Sequence, residues 1–329
     1  MINIFYEPGY AKRRKRIFTI KFNKSVLFNK LINFVYIFNL PIPDRFITNG
    51  PHKLMNNVIK AFRKTKLSVF NELKFDNSYI VQFDNFGENI LKEIISKNNK
   101  KSKVIIGPLY TNEQLKKLSG YLDKYDFIKV LTPSENAANS IVNELNLNID
   151  RKKICTIPIG VIKEKGVIKV NKITKRNNKC LVYFKNRDAS ELKKVLEILT
   201  SKNIRVDLFE YGKYDNNKLK KAAKKDSFGI LLSSIESQGF AVQELMSCNL
   251  PLLVWDESNN KFEGRNISGS SVPHWSKECG LIVKSFSSLE EQLTNFILNI
   301  KEYTPSKLVL NELTYEKFRS NLTKEFNNF

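Results

Sequence analysis

The chain is poor in the residues that metal and thiol chemistry needs. It has two histidines, His52 and His274, and four cysteines, Cys155, Cys180, Cys248 and Cys279. No two cysteines stand at C-x-x-C spacing, so neither a metal site of the zinc type nor a disulfide framework is indicated. Four reduced thiols are expected instead. Long apolar runs are also missing. The most apolar stretch, residues 26–38, carries Asn29, Lys30 and Asn33 and is too short and too polar to span a bilayer. Met1 leads almost directly into Ile2-Asn-Ile-Phe5, so no secretory leader is read there. A cytoplasmic protein is expected, soluble or peripheral on the inner face of a membrane.

Acidic residues are the other shortage. The 33 Asp and Glu face 55 Lys and Arg, a net charge of +22. More than half of that excess lies in residues 1–66, where 14 basic residues oppose only Glu7 and Asp44. Lys12-Arg-Arg-Lys-Arg16 is the densest run. Three partners compete for it: nucleic-acid phosphates, an anionic membrane leaflet or anionic acceptor, and plain solvent. No nucleic-acid-binding motif accompanies the charge, so residues 12–66 are read as a surface for an anionic membrane, with a solvated face as the bland alternative.

What is present suffices for packed cores. Hydrophobic residues make up 42% of the 329 positions and aromatics 11%, which excludes global disorder. The length suits two domains. Apolar runs at 2–6, 78–83, 103–106, 127–131, 153–157, 180–184, 204–209, 228–232, 252–255 and 279–283 read as strands. Between most of them lie segments with helical spacing, such as Ile90, Leu91, Ile94 and Ile95, or Leu289, Leu293, Phe296 and Ile297. This alternation predicts an α/β protein with two doubly wound, Rossmann-like parallel sheets. The expected division is a first domain over 1–165, a linker over 166–179 rich in Lys and Asn, a second domain over 180–302, and a helical tail over 303–329.

One stretch organises the rest: FGILLSSIESQGFAVQELMSCNLPLLVWD, residues 228–256. It reads as strand, acidic loop, short helix and strand, a βαβ unit. Glu236 sits in the loop and Glu244 in the helix. With Glu236 before the helix, both carboxylates can approach a ligand held at the helix N-terminus, where free backbone N–H groups attract phosphate. Carboxylates there can accept hydrogen bonds from sugar hydroxyls. A solvated Glu pair is the bland alternative.

Ser233-Ser-Ile-Glu236-Ser-Gln-Gly239-Phe-Ala-Val-Gln-Glu244-Leu-Met-Ser-Cys-Asn-Leu-Pro251 resembles the donor-sugar signature of GT-B glycosyltransferases of the family 4 / group 1 type. Asn249 stands where that pattern has glycine, a tolerable exchange because Asn also adopts the left-handed cap. Val130-Leu-Thr-Pro133-Ser134, followed by Ile154-Cys-Thr-Ile157-Pro158-Ile-Gly160-Val161, is similar to the end of the family's first domain. There Ile159 and Ile162 replace the usual Asn and Asp.

The resemblance implies a GT-B fold with two domains facing a cleft. It also implies transfer of a sugar from a nucleotide-diphosphate donor to a glycan or lipid-linked glycan, with retention of anomeric configuration and no metal or other cofactor. Such an enzyme belongs to cell-surface polysaccharide or glycoconjugate synthesis. Glu244 would hold the ribose, Glu236 would face the sugar, and Ser237, Gln238, Gly239 and Phe240 would supply N–H groups. Lys185 and Arg187, in KNRDASELKK, would take the diphosphate, although the family's spacing there is G-R-x(4–5)-K-G. Tyr211 and Gly212 would receive the base. In the first domain His52 would shuttle a proton or bind an anionic acceptor, and Asp84, Asn85, Pro108 and Tyr110 would line the cleft. His274 is read as a loop residue. The resemblance also implies that the C-terminal helix packs back on the first domain. The competing readings are a relative with epimerase or phosphorylase activity, and a non-catalytic basic protein that binds membrane or nucleic acid.

Overall fold

The computed structural model describes residues 2–5, 50–62, 77–97, 102–145, 147–161, 178–256, 259–262 and 265–329. The Lys12–Arg16 run, the apolar segment 26–38 and residues 166–177 of the expected linker lie outside the described residues. The chain divides into two compact units. One comprises Met1–Gly160 with Tyr315–Phe329, the other Val161–Thr314.

In the first unit the elements run β1 (Asn3–Phe5), α1 (Gly50–Phe62), β2 (Asn77–Gln82), α2 (Asn85–Ser96), β3 (Lys103–Leu109), α3 (Asn112–Lys124), β4 (Ile128–Thr132), α4 (Glu135–Asn139) and β5 (Ile154–Thr156). The five strands form one parallel sheet in the order β1-β2-β3-β4-β5. Strand side chains alternate between faces. Ile80, Val104, Ile106, Ile128 and Val130 pack with Ile90, Leu91 and Ile94 of α2 and Leu115, Leu118 and Leu122 of α3. One strand end and one helix end differ from the sequence reading. β3 runs on through Gly107-Pro108 to Leu109, and a single π-helical turn, Ser140–Glu144, follows α4. Residue periodicity alone does not distinguish that turn from an α-helix.

In the second unit the order is β6 (Lys179–Lys185), α5 (Ala189–Ser201), β7 (Arg205–Glu210), α6 (Asn216–Ala223), β8 (Phe228–Ser233), α7 (Phe240–Ser247), β9 (Leu252–Trp255), β10 (Asn259–Phe262), β11 (Arg265–Ser268), β12 (Gly280–Val283), α8 (Phe286–Leu298) and α9 (Ser306–Glu312). The parallel sheet has the order β12-β9-β8-β6-β7. Both faces are buried, as parallel sheets require. Leu181, Tyr183, Leu231 and Val254 meet Leu219 of α6 and Val242, Leu245 and Met246 of α7. Cys180, Val182, Ile230, Leu232 and Leu253 meet Val195 and Leu199 of α5 and Leu289, Leu293 and Phe296 of α8. The short strands abut closely at Gly280, where φ is +139° and a Cβ would lie 1.9 Å from the Leu252 carbonyl oxygen. The four cysteines are buried thiols, none in a disulfide.

Three features depart from the sequence reading. The polar stretch after Trp255 holds an antiparallel hairpin, β10–β11. Residues 303–314, expected in the tail, group with the second unit. There α9 packs on α7, and Asn249, with φ +57°, accepts hydrogen bonds from the Ser306 N–H (3.1 Å) and hydroxyl (2.9 Å). Only α10 (Tyr315–Asn327) joins the first unit. Its Phe318 ring meets Phe62 of α1 edge-on at 5.8 Å and Tyr79 of β2 at 6.2 Å. Among the described residues, no helix is long and apolar enough to cross a membrane.

Candidate functional site

In the second unit the chain leaves β6 through α5 to β7 on one side, then passes through α6 to β8 on the other. The strand order therefore reverses between β6 and β8. In open α/β sheets ligands bind outside the carboxyl ends of the strands at such a switch point. Lys185 ends β6 and pairs in register with Ser233, which ends β8. The acidic loop begins at the next residue.

Glu236 is anchored three ways. Its carboxylate accepts from the Lys185 ammonium at 2.6 Å and from the Ser233 hydroxyl at 3.1 Å. Its N–H donates to the Ser270 carbonyl at 3.1 Å. The Lys185 ammonium also lies 4.6 Å from the Tyr211 ring centroid, a cation–π contact. The pair is mostly buried, with side chains 15% and 13% exposed. The structure thus brings together Lys185, Tyr211 and Glu236 from three separate loops.

Gly239 caps α7 in the left-handed conformation, φ +69° and ψ +45°. Glycine adopts this without the Cβ penalty. As the cap residue it has no side chain to offer the first N–H groups of the helix. Ser237 is exposed and Phe240 half-buried. Gln238 is buried, and its carbonyl accepts from the Gln243 amide at 2.8 Å. Glu244 lies on the second turn, its side chain 5% exposed and 3.6 Å from the Lys220 ammonium. Tyr214 lies within electrostatic reach of both carboxylates. Its hydroxyl is pushed above the ordinary phenol range by burial, with the charges of Glu244 and Glu236 adding to the effect. The Tyr214 ring meets Tyr183 edge-on at 5.9 Å and Phe209 at 5.8 Å. Gly212, φ +79°, turns the chain between Tyr211 and Tyr214.

Arg187, expected to take the diphosphate, is held by protein groups. Its guanidinium donates twice to Glu191, at 2.6 and 2.8 Å, and once to the Trp255 carbonyl at 3.1 Å. It also stacks 4.7 Å from the Trp255 ring and is 3% exposed. The Glu four residues on, in the first turn of α5, turns it into a clamp between α5 and β9. Lys185 is left as the cation of this strand end.

In the first unit the expected cleft residues stand at the ends of β2 and β3, but two have structural occupations. Asp84 is the N-cap of α2, accepting from Phe86 N–H at 3.0 Å and Gly87 N–H at 3.2 Å. The Tyr110 hydroxyl donates to the Leu131 carbonyl at 3.0 Å, and burial pushes it above the phenol range. Asn85 is exposed on the first turn of α2, and Pro108 follows a cis peptide within β3. His52 is the third residue of α1, and its side chain lies outside the described residues. His274 is a half-buried loop residue. Sequence reasoning missed Tyr214, Lys220, Asp256 and Ser270. Of these Asp256 had a signal, since it follows β9 at the carboxyl end of the sheet.

An open groove of about 610 Å³ runs along α5, lined by Leu192, Leu196 and Thr200, and includes none of these site residues.

No protein-family model matches the sequence. No curated protein matches it either. Solved structures do. A glycosyltransferase from Rickettsia africae ESF-5 superposes with a TM-score of 0.53 at 12% identity, over 91% of this chain and 87% of that one. The apo form of the lipopolysaccharide outer core galactosyltransferase WaaB superposes with a TM-score of 0.53 at 10% identity, over 84% and 81%. At such identities the likeness is one of fold, and the fold is that of GT-B glycosyltransferases.

Proposed function

We propose that this GT-B chain is a glycosyltransferase whose second unit binds a nucleotide-diphosphate sugar. The observation that supports this best is the cluster at the β6/β8 switch point. It holds a cation on an aromatic face, Lys185 on Tyr211, an anchored carboxylate, Glu236, and the glycine-capped N-terminus of α7. Those are the parts a leaving diphosphate and a sugar need.

Roles follow from position. Glu244 accepts hydrogen bonds from the ribose hydroxyls. Lys185 and the α7 N–H groups take up the negative charge that develops on the leaving diphosphate as the glycosidic bond breaks. Glu236 faces the sugar. Tyr211 and Gly212 bound the base. The reading includes no metal or other cofactor. In the first unit, His52 and Asn85 are the proposed acceptor-side groups. The acceptor proposed is a glycan or lipid-linked glycan in surface polysaccharide or glycoconjugate synthesis, with retention at the anomeric carbon. The basic residues 12–66 would hold the protein on an anionic inner leaflet.

The test is binding and transfer with a panel of nucleotide sugars, followed by Glu244→Ala. Donor affinity is expected to fall about tenfold or more, the worth of a charge-assisted hydrogen bond pair. Unchanged affinity in that variant would remove Glu244 from the site. A rearranged nucleotide sugar as the product, without transfer, would convert the reading to an epimerase.

A further inference from the structure

We propose that Asp256 is a positioning residue for Glu236. It touches none of the groups assigned above to the donor. It acts through loop 269–273, which returns from the β10–β11 hairpin beside the acidic loop.

Asp256 follows β9, and its N–H is fixed by the Val283 carbonyl of β12 at 2.9 Å. Its carboxylate is 3% exposed. Four donors converge on it: the Ser271 N–H at 2.7 Å, the Ser271 hydroxyl at 2.9 Å, the Ser270 hydroxyl at 2.9 Å and the Lys284 ammonium at 3.1 Å. A buried ion is stable only when its lone pairs are filled in this way. The Ser270 hydroxyl also accepts from the Val272 N–H at 3.0 Å. The carboxylate therefore fixes the backbone of residues 270–272 from beneath.

That loop meets the acidic loop at three points. The Ser270 carbonyl receives the Glu236 N–H. Gly269 lies against Ile235, so that a Cβ there would come 3.0 Å from the isoleucine methyl. Pro273 lies beside Gly239, 3.5 Å from where a Cβ would stand. The consequence is a relay from Asp256 to Ser270 to the Glu236 backbone. Lys185 and Ser233 then aim the carboxylate from the other side. A misplacement of order 1 Å at a reacting group costs about a hundredfold in rate, so the relay has leverage on chemistry without touching substrate.

The catalytic part of this inference rests on the donor-site reading; the structural part does not. Two measurements keep them apart. The first is amide hydrogen exchange over residues 234–239 in the full chain. Asp256→Asn turns one accepting oxygen into an amide donor that faces the Ser270 hydroxyl or Lys284. Exchange in that segment is expected to rise about tenfold while α5 and α8 keep theirs, a local opening. Lys193→Ala is the control. That side chain is 79% exposed on α5, and its loss should leave the segment unchanged. The second is steady-state kinetics with the nucleotide sugar the wild type uses. Asp256→Asn should lower kcat about tenfold with donor KM within about twofold, because the proposed nucleotide contacts stay in place. Combining it with Glu236→Gln should add no further loss.

Unchanged exchange over 234–239 in Asp256→Asn overturns the relay. A wild type that uses no nucleotide sugar overturns the donor reading and leaves the exchange result to decide the relay. Were Asp256→Asn not to fold, Ser271→Ala removes a single one of the four bonds and carries the same exchange readout.

Discussion

Replacing Lys185 with methionine separates the ion pair this lysine makes from the diphosphate role proposed for it. It holds Glu236 at 2.6 Å in a mostly buried pair. At that separation and an effective dielectric constant of about 20, two unit charges attract by about 6 kcal/mol. Desolvation of both ions offsets much of this, and losing one partner of such a pair costs about 3–5 kcal/mol because the other charge is left buried. The Ser233 hydroxyl still donates to Glu236 and places the expectation at the lower end. Lys185→Met should therefore lower unfolding free energy by about 3 kcal/mol at pH 7.5, read from the urea midpoint with the slope unchanged. Adding Glu236→Gln removes the stranded charge and should return stability to within about 1 kcal/mol of wild type. Donor affinity must behave differently. If Lys185 meets the diphosphate, both variants should bind the nucleotide diphosphate about ten- to a hundredfold more weakly in calorimetry, because a charge-assisted bond is worth about 1.5–3 kcal/mol. A double variant that regains full affinity refutes the phosphate role. A single variant as stable as wild type refutes the ion-pair argument.

Other variants test the frame around the site. In the first unit, burial raises the Glu88 pKa, but hydrogen bonds from Lys117, Lys92 and Tyr121 outweigh it and hold the carboxyl at about 2, against an ordinary 4.5. Its stabilisation is full above pH 4.5 and is lost as pH falls through 2. Both lysines are more than half exposed, so screening reduces the linkage limit to about 1–2 kcal/mol. Glu88→Gln should cost that at pH 7 and almost nothing at pH 2, read by denaturant melts across the range. Asp226 runs the opposite way: burial, then the charge of Asp207, raises it from 3.8 to about 7. The folded chain then binds the extra proton, so stability falls as pH climbs from 4 to 7. Asp226→Asn should flatten that slope and stabilise the protein by about 1–3 kcal/mol at pH 8. Gly280→Ala should destabilise by about 3 kcal/mol or more in the same melts, since its Cβ has no room against Leu252 and its φ is positive.

The parallel sheets were legible because their strands are buried on both faces and so read as continuous apolar runs, as Ile230, Leu231 and Leu232 do. The acidic loop and its helix were legible because Gly239, Asn249 and Pro251 punctuate them. The hairpin β10–β11 was not. NNKF and RNIS carry Asn, Lys and Arg where a strand pattern needs alternation, and a two-stranded hairpin has little apolar face to show. The fate of Arg187 was hidden for another reason. Whether an arginine faces a ligand or stacks on Trp255 depends on a residue 68 positions away. Asp256 and Ser270 belong to the same class, since their meaning arises only when the hairpin folds back and brings them together. Asp84 and Tyr110 were placed at the right strand ends, but position there does not reveal that a cap or a carbonyl already uses the side chain.

Asn249 sits where the sequence pattern expects glycine, and its side chain is not idle. It ends α7 through its backbone and starts α9 through its amide oxygen, 57 residues later. Glycine would relax the left-handed backbone by about 1 kcal/mol and leave the first turn of α9 without that acceptor. A change at position 249 that looks like a return to type would loosen the chain just ahead of Tyr315, where it passes to the first unit. In this protein the punctuation mark of α7 is also a splice, and sequence drift at 249 and at 306 should be coupled.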